Sequence, residues 1–259
     1  MHNAMKTSRR IPGRAGAARH PATLPRGTDW LMLVRTRCID PAREDQFNDW
    51  YNYIDIPDVL EVPGYLRARR GLLQQDCDGD APDGGNYLAL YDIRSAAIDK
   101  TIIEMLMATR RMEHRGRSTD LLQVTERIYY RRIAPSHAAP GAPLSAEPLY
   151  FFCERFDCRP KRVPASLTDW YSSSHRRVVD RTPGMIRATR YELYRVLMLE
   201  PKAVPRFLTI YEISAPSSEQ ACALLSEVLH GWAGSAGRSN AYLAGDRSLF
   251  LKIREQVRA

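Results

Sequence analysis

Residues 49–70 read DWYNYIDIPDVLEVPGYLRARR, and residues 169–190 read DWYSSSHRRVVDRTPGMIRATR. Asp49, Trp50, Tyr51, Pro63, Gly64, Arg67, Ala68 and Arg70 recur as Asp169, Trp170, Tyr171, Pro183, Gly184, Arg187, Ala188 and Arg190, always 120 residues later and without a gap. YLALYDI at 87–93 against FLTIYEI at 207–213 keeps that spacing, and so does Arg127 against Arg247. A period of one domain length that occurs twice points to a duplicated folding unit, since a solenoid needs a shorter period and more copies.

Around each copy the same order of elements is legible. LMLVRTRC at 31–38 is a strand by length and composition. Asp40-Pro41 then opens a helix, with Asp as N-cap and Pro at the first position. Phe47, Trp50, Tyr51 and Ile54 fall at i, i+3, i+4 and i+7, one apolar face, and Pro57 is expected to end regular helix. Pro63-Gly64 turns the chain into strands at 65–74 and 86–93, separated by an acidic hairpin loop at 76–85. Ser95 caps a helix that turns Ile98, Ile102, Met105 and Leu106 inward, and residues 127–133 form a fourth strand. In the second copy strands fall at 150–157, 185–194, 206–213 and 248–253. The first helix, 164–179, carries Leu167, Trp170, Tyr171 and Val178 inward. The second starts in a capping box at Ser217–Gln220 and carries Leu224, Leu225 and Val228. Strand, helix, strand, strand, helix, strand is the split βαβ of a ferredoxin-like unit.

The expected fold is therefore α+β: a first ferredoxin-like domain at 29–133, a Pro/Ala linker at 134–148, and a second domain at 149–259. A four-stranded sheet with both helices on one side leaves its other face open. These strands are apolar on both sides: Leu31 and Leu33 against Met32 and Val34, Tyr87 and Tyr91 against Leu88 and Leu90. The two sheets are expected to cover each other within one chain, as a pseudo-dimer.

Composition narrows the classes of function. The net charge of +8 lies mostly in residues 1–28, which hold six basic residues and no acid and read as a disordered tail. The rest carries 32 basic against 30 acidic residues, which gives no electrostatic reason to bind nucleic acid. No apolar run has membrane-spanning length. Five cysteines without paired spacing suit reduced thiols in a cytoplasm, and neither they nor six scattered histidines form a metal motif. No Gly-rich phosphate loop or nucleophile elbow is present.

The segment DWY-x(3)-[D/H]-x(7)-PG, set between a first helix and an arginine-bearing strand, resembles the dimeric α+β barrel superfamily. Its EthD-like and stress-responsive branches and the antibiotic-biosynthesis monooxygenases are nearest in pattern. The resemblance spans roughly 30–133 and 149–255. It implies the paired-sheet barrel but no single reaction, because members include cofactor-free oxygenases, polyketide cyclases, lactone isomerases and haem-degrading enzymes. In relatives of this pattern a histidine at the helix end follows Trp-Tyr, which falls here on His175 in the second half and Asp55 in the first.

Helical spacing adds to that. Asp55 lies on the stripe of Phe47 and Tyr51, and His175 on that of Leu167 and Tyr171, at i, i+4, i+8. His175, Tyr171 and Asp55 are thus the candidate catalytic residues, with the second half favoured if only one pocket works. Arg67 and Arg187 are expected either to hold a substrate oxygen or to form salt bridges. Trp50, Tyr51, Trp170 and Tyr171 on the helices, with Tyr91 and Tyr211 on the third strands, are candidate aromatic lining, and Glu154 a buried acid needing Arg187 or Arg190 as partner. The expected activity is proton abstraction next to a carbonyl in a hydrophobic, aromatic or polyketide-like molecule, without organic cofactor or metal, leading to cyclisation, isomerisation or dehydration. A cofactor-free or haem-linked monooxygenase and a non-catalytic ligand binder are the alternatives. The expected partner is a small hydrophobic molecule, with no nucleic acid or membrane, and further self-association of the one-chain pseudo-dimer is left open.

Overall fold

The computed structural model describes residues 30–76, 86–140, 149–158, 173, 175–199, 203–234 and 242–258. Nine strands carry the architecture: β1 (Trp30–Cys38), β2 (Tyr65–Asp76), β3 (Tyr87–Ile93), β4 (Leu122–Arg132), β5 (His137–Ala138), β6 (Leu149–Cys158), β7 (Met185–Leu199), β8 (Phe207–Ser214) and β9 (Tyr242–Val257). Their order is β4-β1-β3-β2-β9-β6-β8-β7-β5, and β4 also pairs with β7. Eight strands therefore close an antiparallel barrel. The first half supplies the arc β4-β1-β3-β2 and the second the arc β9-β6-β8-β7, joined at β2–β9 and at β4–β7.

Alternation along the strands builds three apolar layers. Leu31, Leu33, Leu88, Leu90, Ile128 and Tyr130 point into the barrel against Phe151, Cys153, Tyr191, Leu208, Ile210 and Phe250. Met32, Val34, Ala89 and Tyr91 point the other way, to the helices of the first half. Phe152, Phe156 and Tyr211 do the same in the second. Two turns recur 120 residues apart. Gly64 takes φ +96° and Gly184 φ +74°, and a Cβ would stand 2.9 Å from the Arg94 carbonyl oxygen in one and 2.3 Å from that of Ser214 in the other. Only glycine allows so close an approach.

The first helical segment departs from the expected 3.6-residue phase. Helix α1 (Glu44–Trp50) runs into one π turn (Tyr51–Asp55) before α2 (Ile56–Glu61). The Ile56 N–H donates to the Tyr51 carbonyl, five residues back. Pro57 does not end the helix as expected but sits in the first turn of α2. It has no N–H to give the carbonyl four residues back, and the widened turn relieves that clash. The buried series consequently runs Phe47, Tyr51, Ile56, leaving Ile54 half-buried. A similar correction applies to α3 (Ile98–His114), where Leu106 is 40% exposed: the buried positions are 98, 101, 102, 105, 108 and 112, and Leu106 lies one residue, about 100°, off that line. Ser95 Oγ does accept from the Ala97 N–H.

In the second half, the expected helix over 164–179 lies largely outside the described residues, including Leu167, Trp170, Tyr171 and the Val178 side chain. Helix α4 (Arg176–Arg181) buries Val179. In α5 (Ser218–Gly234), Leu225 is buried and the Gln220 N–H donates to Ser217 Oγ. Within the stretch expected as linker, His137 and Ala138 pair with Ala188 and Arg187.

Candidate functional site

A cavity of ≈ 230 Å³ lies between the first-half helices and the outer face of β1, β3 and β4. The π turn places Tyr51 and Asp55 on its wall. Met32, Val34 and Thr36 line it from β1, Tyr91 from β3, Met105 and Met112 from α3, and Leu122, Val124 and Arg127 from β4. Trp50 closes one side, its Nε1 donating to the Arg117 carbonyl at 2.7 Å. Ser118, Thr119 and Trp50 are shared with a shallower surface pocket, so they form the mouth.

Asp55 accepts a hydrogen bond from the Tyr91 hydroxyl at 3.1 Å. It keeps some exposure to the cavity but is otherwise packed by protein. Burial pushes its carboxyl up to about 6, against the opposing pull of the Tyr91 bond, Arg127 and Arg70. Burial likewise raises the Tyr51 and Tyr91 phenols, so both are un-ionised at neutral pH. The Arg70 guanidinium stacks 4.1 Å from the Tyr51 ring centre and donates to Asn48 and Asn52 at 3.0 and 2.9 Å. Arg127 has no hydrogen-bond or ion-pair partner among the described residues, and its Nε is buried. Thr36 Oγ1, also buried, has no hydrogen-bond partner either.

The second half holds the matching pair in a different setting. His175 is 4% exposed, and its Nε2 lies 2.8 Å from the Tyr211 hydroxyl. Tyr211 in turn donates to Glu154 Oε2 at 3.5 Å. Assigned from that network, His175 Nε2–H donates to the Tyr211 oxygen. Burial, then the Arg190 charge, lowers the imidazole to about 3, so it is neutral in ordinary buffers.

The structure thus brings Asp55, Tyr51 and Trp50 to one cavity, and His175, Tyr211 and Glu154 to one buried chain of polar groups. Trp170 and Tyr171 lie outside the described residues. Arg67 and Arg187 are not in the cavity wall. Arg67 Nε donates to Asp92 at 2.6 Å and Arg187 to Glu212 at 3.3 Å, and Arg69 bridges those two acids at 2.8 and 3.0 Å. They project to the barrel side, opposite the helices, so alternation took them away from Asp55. The preference for the second half is not tested: residues 159–172 and 174, which would wall a pocket at His175, lie outside the described residues, and the cavity described here is in the first half. Tyr91, expected as aromatic lining, is in the wall, whereas Arg127, Thr36 and the α3 methionines were not singled out as site residues by sequence. A signal was there for Arg127: its counterpart Arg247 stands opposite an acid, Glu154, where Arg127 stands opposite Val34.

Among the described residues no group of three or more His, Cys, Asp or Glu is placed to hold a metal ion. No helix there is long and apolar enough to cross a membrane. No protein-family profile matches the chain, and no curated protein matches it either. Solved structures do. An anthrone oxidase-like protein is 12% identical, with a TM-score of 0.51 over 90% of this chain and 95% of that one. A chlorite dismutase from Candidatus Nitrospira defluvii is 11% identical, TM-score 0.51, over 89% and 93%. A variant of DypB from Rhodococcus jostii RHA1 in complex with haem is 10% identical, TM-score 0.52, over 89% and 95%. At these identities the likeness is one of fold alone: a mixed α+β chain closed into an eight-stranded antiparallel barrel.

Haem, one of the alternatives read from the sequence, is a group to test against the donors present. The cavity wall contains no histidine or cysteine. Its tyrosines are held protonated by burial, and the buried imidazole of His175 is engaged by Tyr211. At ≈ 230 Å³ the cavity is below the range of drug-sized ligand pockets, roughly 300–1,000 Å³. Among the described residues, the wall of this cavity does not offer the histidine or cysteine that commonly ligates haem iron.

Proposed function

We propose that the first-half cavity is the active site of an oxygenase of the cofactor-free type, which removes a proton from a carbon acid and passes the resulting carbanion to dioxygen. What carries this reading is the Asp55 carboxyl, raised to about 6 beside an apolar cavity and held by the Tyr91 hydroxyl. A base with a pKa near the working pH combines adequate basicity with the right protonation state. The anthrone oxidase-like neighbour supports the reaction class through its name. In the scheme, Asp55 takes a proton from an activated CH2, and the carbanion bonds to O2. The hydroperoxide formed then loses water, so that CH2 and O2 become C=O and H2O. Without the oxygen step, the same deprotonation gives isomerisation or cyclisation.

The closer kinship with the EthD-like branch, domain bounds at 29–133 and 149–259, and an origin by duplication belong to the same proposal. Recurrence of the Pro-Gly turns, of Asp55–Tyr91 as His175–Tyr211, and of Arg67–Asp92 as Arg187–Glu212 supports them. His175, with its imidazole near 3, serves in this scheme as packing rather than as the base.

The test is oxygen uptake by the full chain with anthrone, run beside solvent-deuterium incorporation into the substrate. Wild-type uptake should rise with pH through about 6 as Asp55 ionises, and Asp55→Asn should lose about 10²–10⁴-fold. Deuterium exchange without oxygen uptake would move the protein to the isomerase or cyclase reading. Neither signal, or full activity in Asp55→Asn, would overturn both.

A further inference from the structure

We infer that the cavity selects a compact organic anion, an apolar body carrying one carboxylate or phenolate oxygen, and that Arg127 is the residue that selects it. The inference rests on the cavity being a ligand site but not on the chemistry assigned to Asp55.

Three observations converge. Arg127 lines the cavity with no hydrogen-bond or ion-pair partner among the described residues, its charge reaching Asp55 only beyond ion-pair distance, and its Nε is buried. Leaving a buried guanidinium N–H unmade is costly, and a fixed cation in apolar surroundings is a strong site for an anion. Thr36 Oγ1, on the same wall, is a second buried polar atom without a partner. Asp55 is described and makes no ion pair with Arg127, so more than the 4.0 Å of such a pair separates the two groups. Between them an oxygen of a ligand can sit without displacing an existing bond.

The third observation comes from strand register. Val34 on β1 stands opposite Arg127 on β4, and Glu154 on β6 stands opposite Arg247 on β9. These are the same two positions, 120 residues apart. Opposed residues in an antiparallel pair present their side chains on one face. The second half therefore sets a carboxylate beside its arginine, and the first half sets an isopropyl group there. Val34 leaves the arginine's N–H donors for something that is not part of the chain, while its charge acts on Asp55 at longer range. The remaining wall, Met32, Val59, Met105, Met112 and Val124, is apolar and calls for a hydrocarbon or aromatic body.

The experiment is calorimetric titration of the full chain at pH 7.5 with four probes: benzoate, 4-nitrophenolate, the neutral isostere benzamide, and inorganic phosphate. Benzoate or 4-nitrophenolate should bind at least tenfold more tightly than benzamide, and which of them binds best separates a carboxylate from a phenolate site. Arg127→Met should weaken the anions tenfold or more and leave benzamide unchanged, and Arg127→Lys should retain part of the preference. Val34→Glu, which builds the second-half arrangement into the first, should abolish anion preference with Arg127 intact. Equal binding of benzoate and benzamide, phosphate binding as tight as benzoate, no benzoate binding at millimolar concentration, or no effect of either Arg127 variant would overturn the proposal. Thermal melts of each variant show whether it is folded. Benzoate binding without oxygen uptake or deuterium exchange would refute the reaction assigned to Asp55 and leave the anion site standing.

Discussion

Asp55 and His175 hold equivalent places in the two halves, each hydrogen-bonded to the tyrosine that its half carries 36 residues further on. Burial acts on both and dominates both, raising the carboxyl to about 6 and lowering the imidazole to about 3. In each case the uncharged form is favoured: at Asp55 desolvation outweighs the pull of Arg127 and Arg70, and at His175 the Arg190 charge acts in the same direction as burial. The outcomes differ in use. Asp55 is brought close to neutral pH and opens on a cavity with a lone arginine. His175 is carried far from neutral pH and is packed against Tyr211. In the proposed scheme one scaffold position serves proton transfer and its twin packing, set by residue type and by what lies across the strand.

The largest expected contrast is catalytic. Asp55→Asn should cost about 10²–10⁴-fold in turnover, while His175→Gln should leave turnover within a few-fold. A strong loss in His175→Gln with the fold intact, checked by steady-state rates and circular dichroism, would reverse the roles of the halves. Next comes acid stability. An imidazole whose folded value lies below its unfolded one contributes stability that is present above about 6.5 and lost as pH falls towards 3. The loss can reach roughly 5 kcal/mol. Urea unfolding at pH 7 and pH 4 should show it in the wild type and much less of it in His175→Gln.

Asp55 works with the opposite sign. A carboxyl raised from 3.8 to about 6 contributes stability present below 3.8 and lost as pH rises through 6. Asp55→Asn should therefore be more stable than wild type at pH 8, by up to about 3 kcal/mol, and no more stable at pH 4. A variant that is inactive yet sturdier would mark Asp55 as a residue kept at a cost in stability. The smallest effect concerns the cavity mouth. Trp50→Phe removes the bond to the Arg117 carbonyl and should cost about 1 kcal/mol in chemical unfolding, with faster ligand exchange.

Much of the frame was legible because repeats and strand alternation are local, periodic signals. Pro63-Gly64 and Pro183-Gly184, the doubly apolar strands and the sheet pairing all follow from them. The phase of the first helix was not legible, because a π turn costs one residue of register and depends on how Pro57 is accommodated by its neighbours. Leu106 failed for a plainer reason, being adjacent to the buried line. At the site, Asp55 could be named from its stripe, whereas Arg127 could not be told from Arg67 without knowing which face of each strand meets the helices. Alternation gives two faces, and only packing says which is which. Setting Val34 against Glu154 at the repeat spacing would have separated Arg127 from its twin.

The ring of eight strands has one further consequence. Each arc meets its sister along two seams, β2 with β9 and β4 with β7, so every long ladder in the described barrel is already spoken for. Neither half should be capable of solitary existence in water: a fragment ending near residue 133 would present two raw borders and recruit whatever strand it met. Melting ought then to be a single event for the whole chain, and a larger assembly is expected to dock through the outer helices rather than by adding a strand to one of these long ladders.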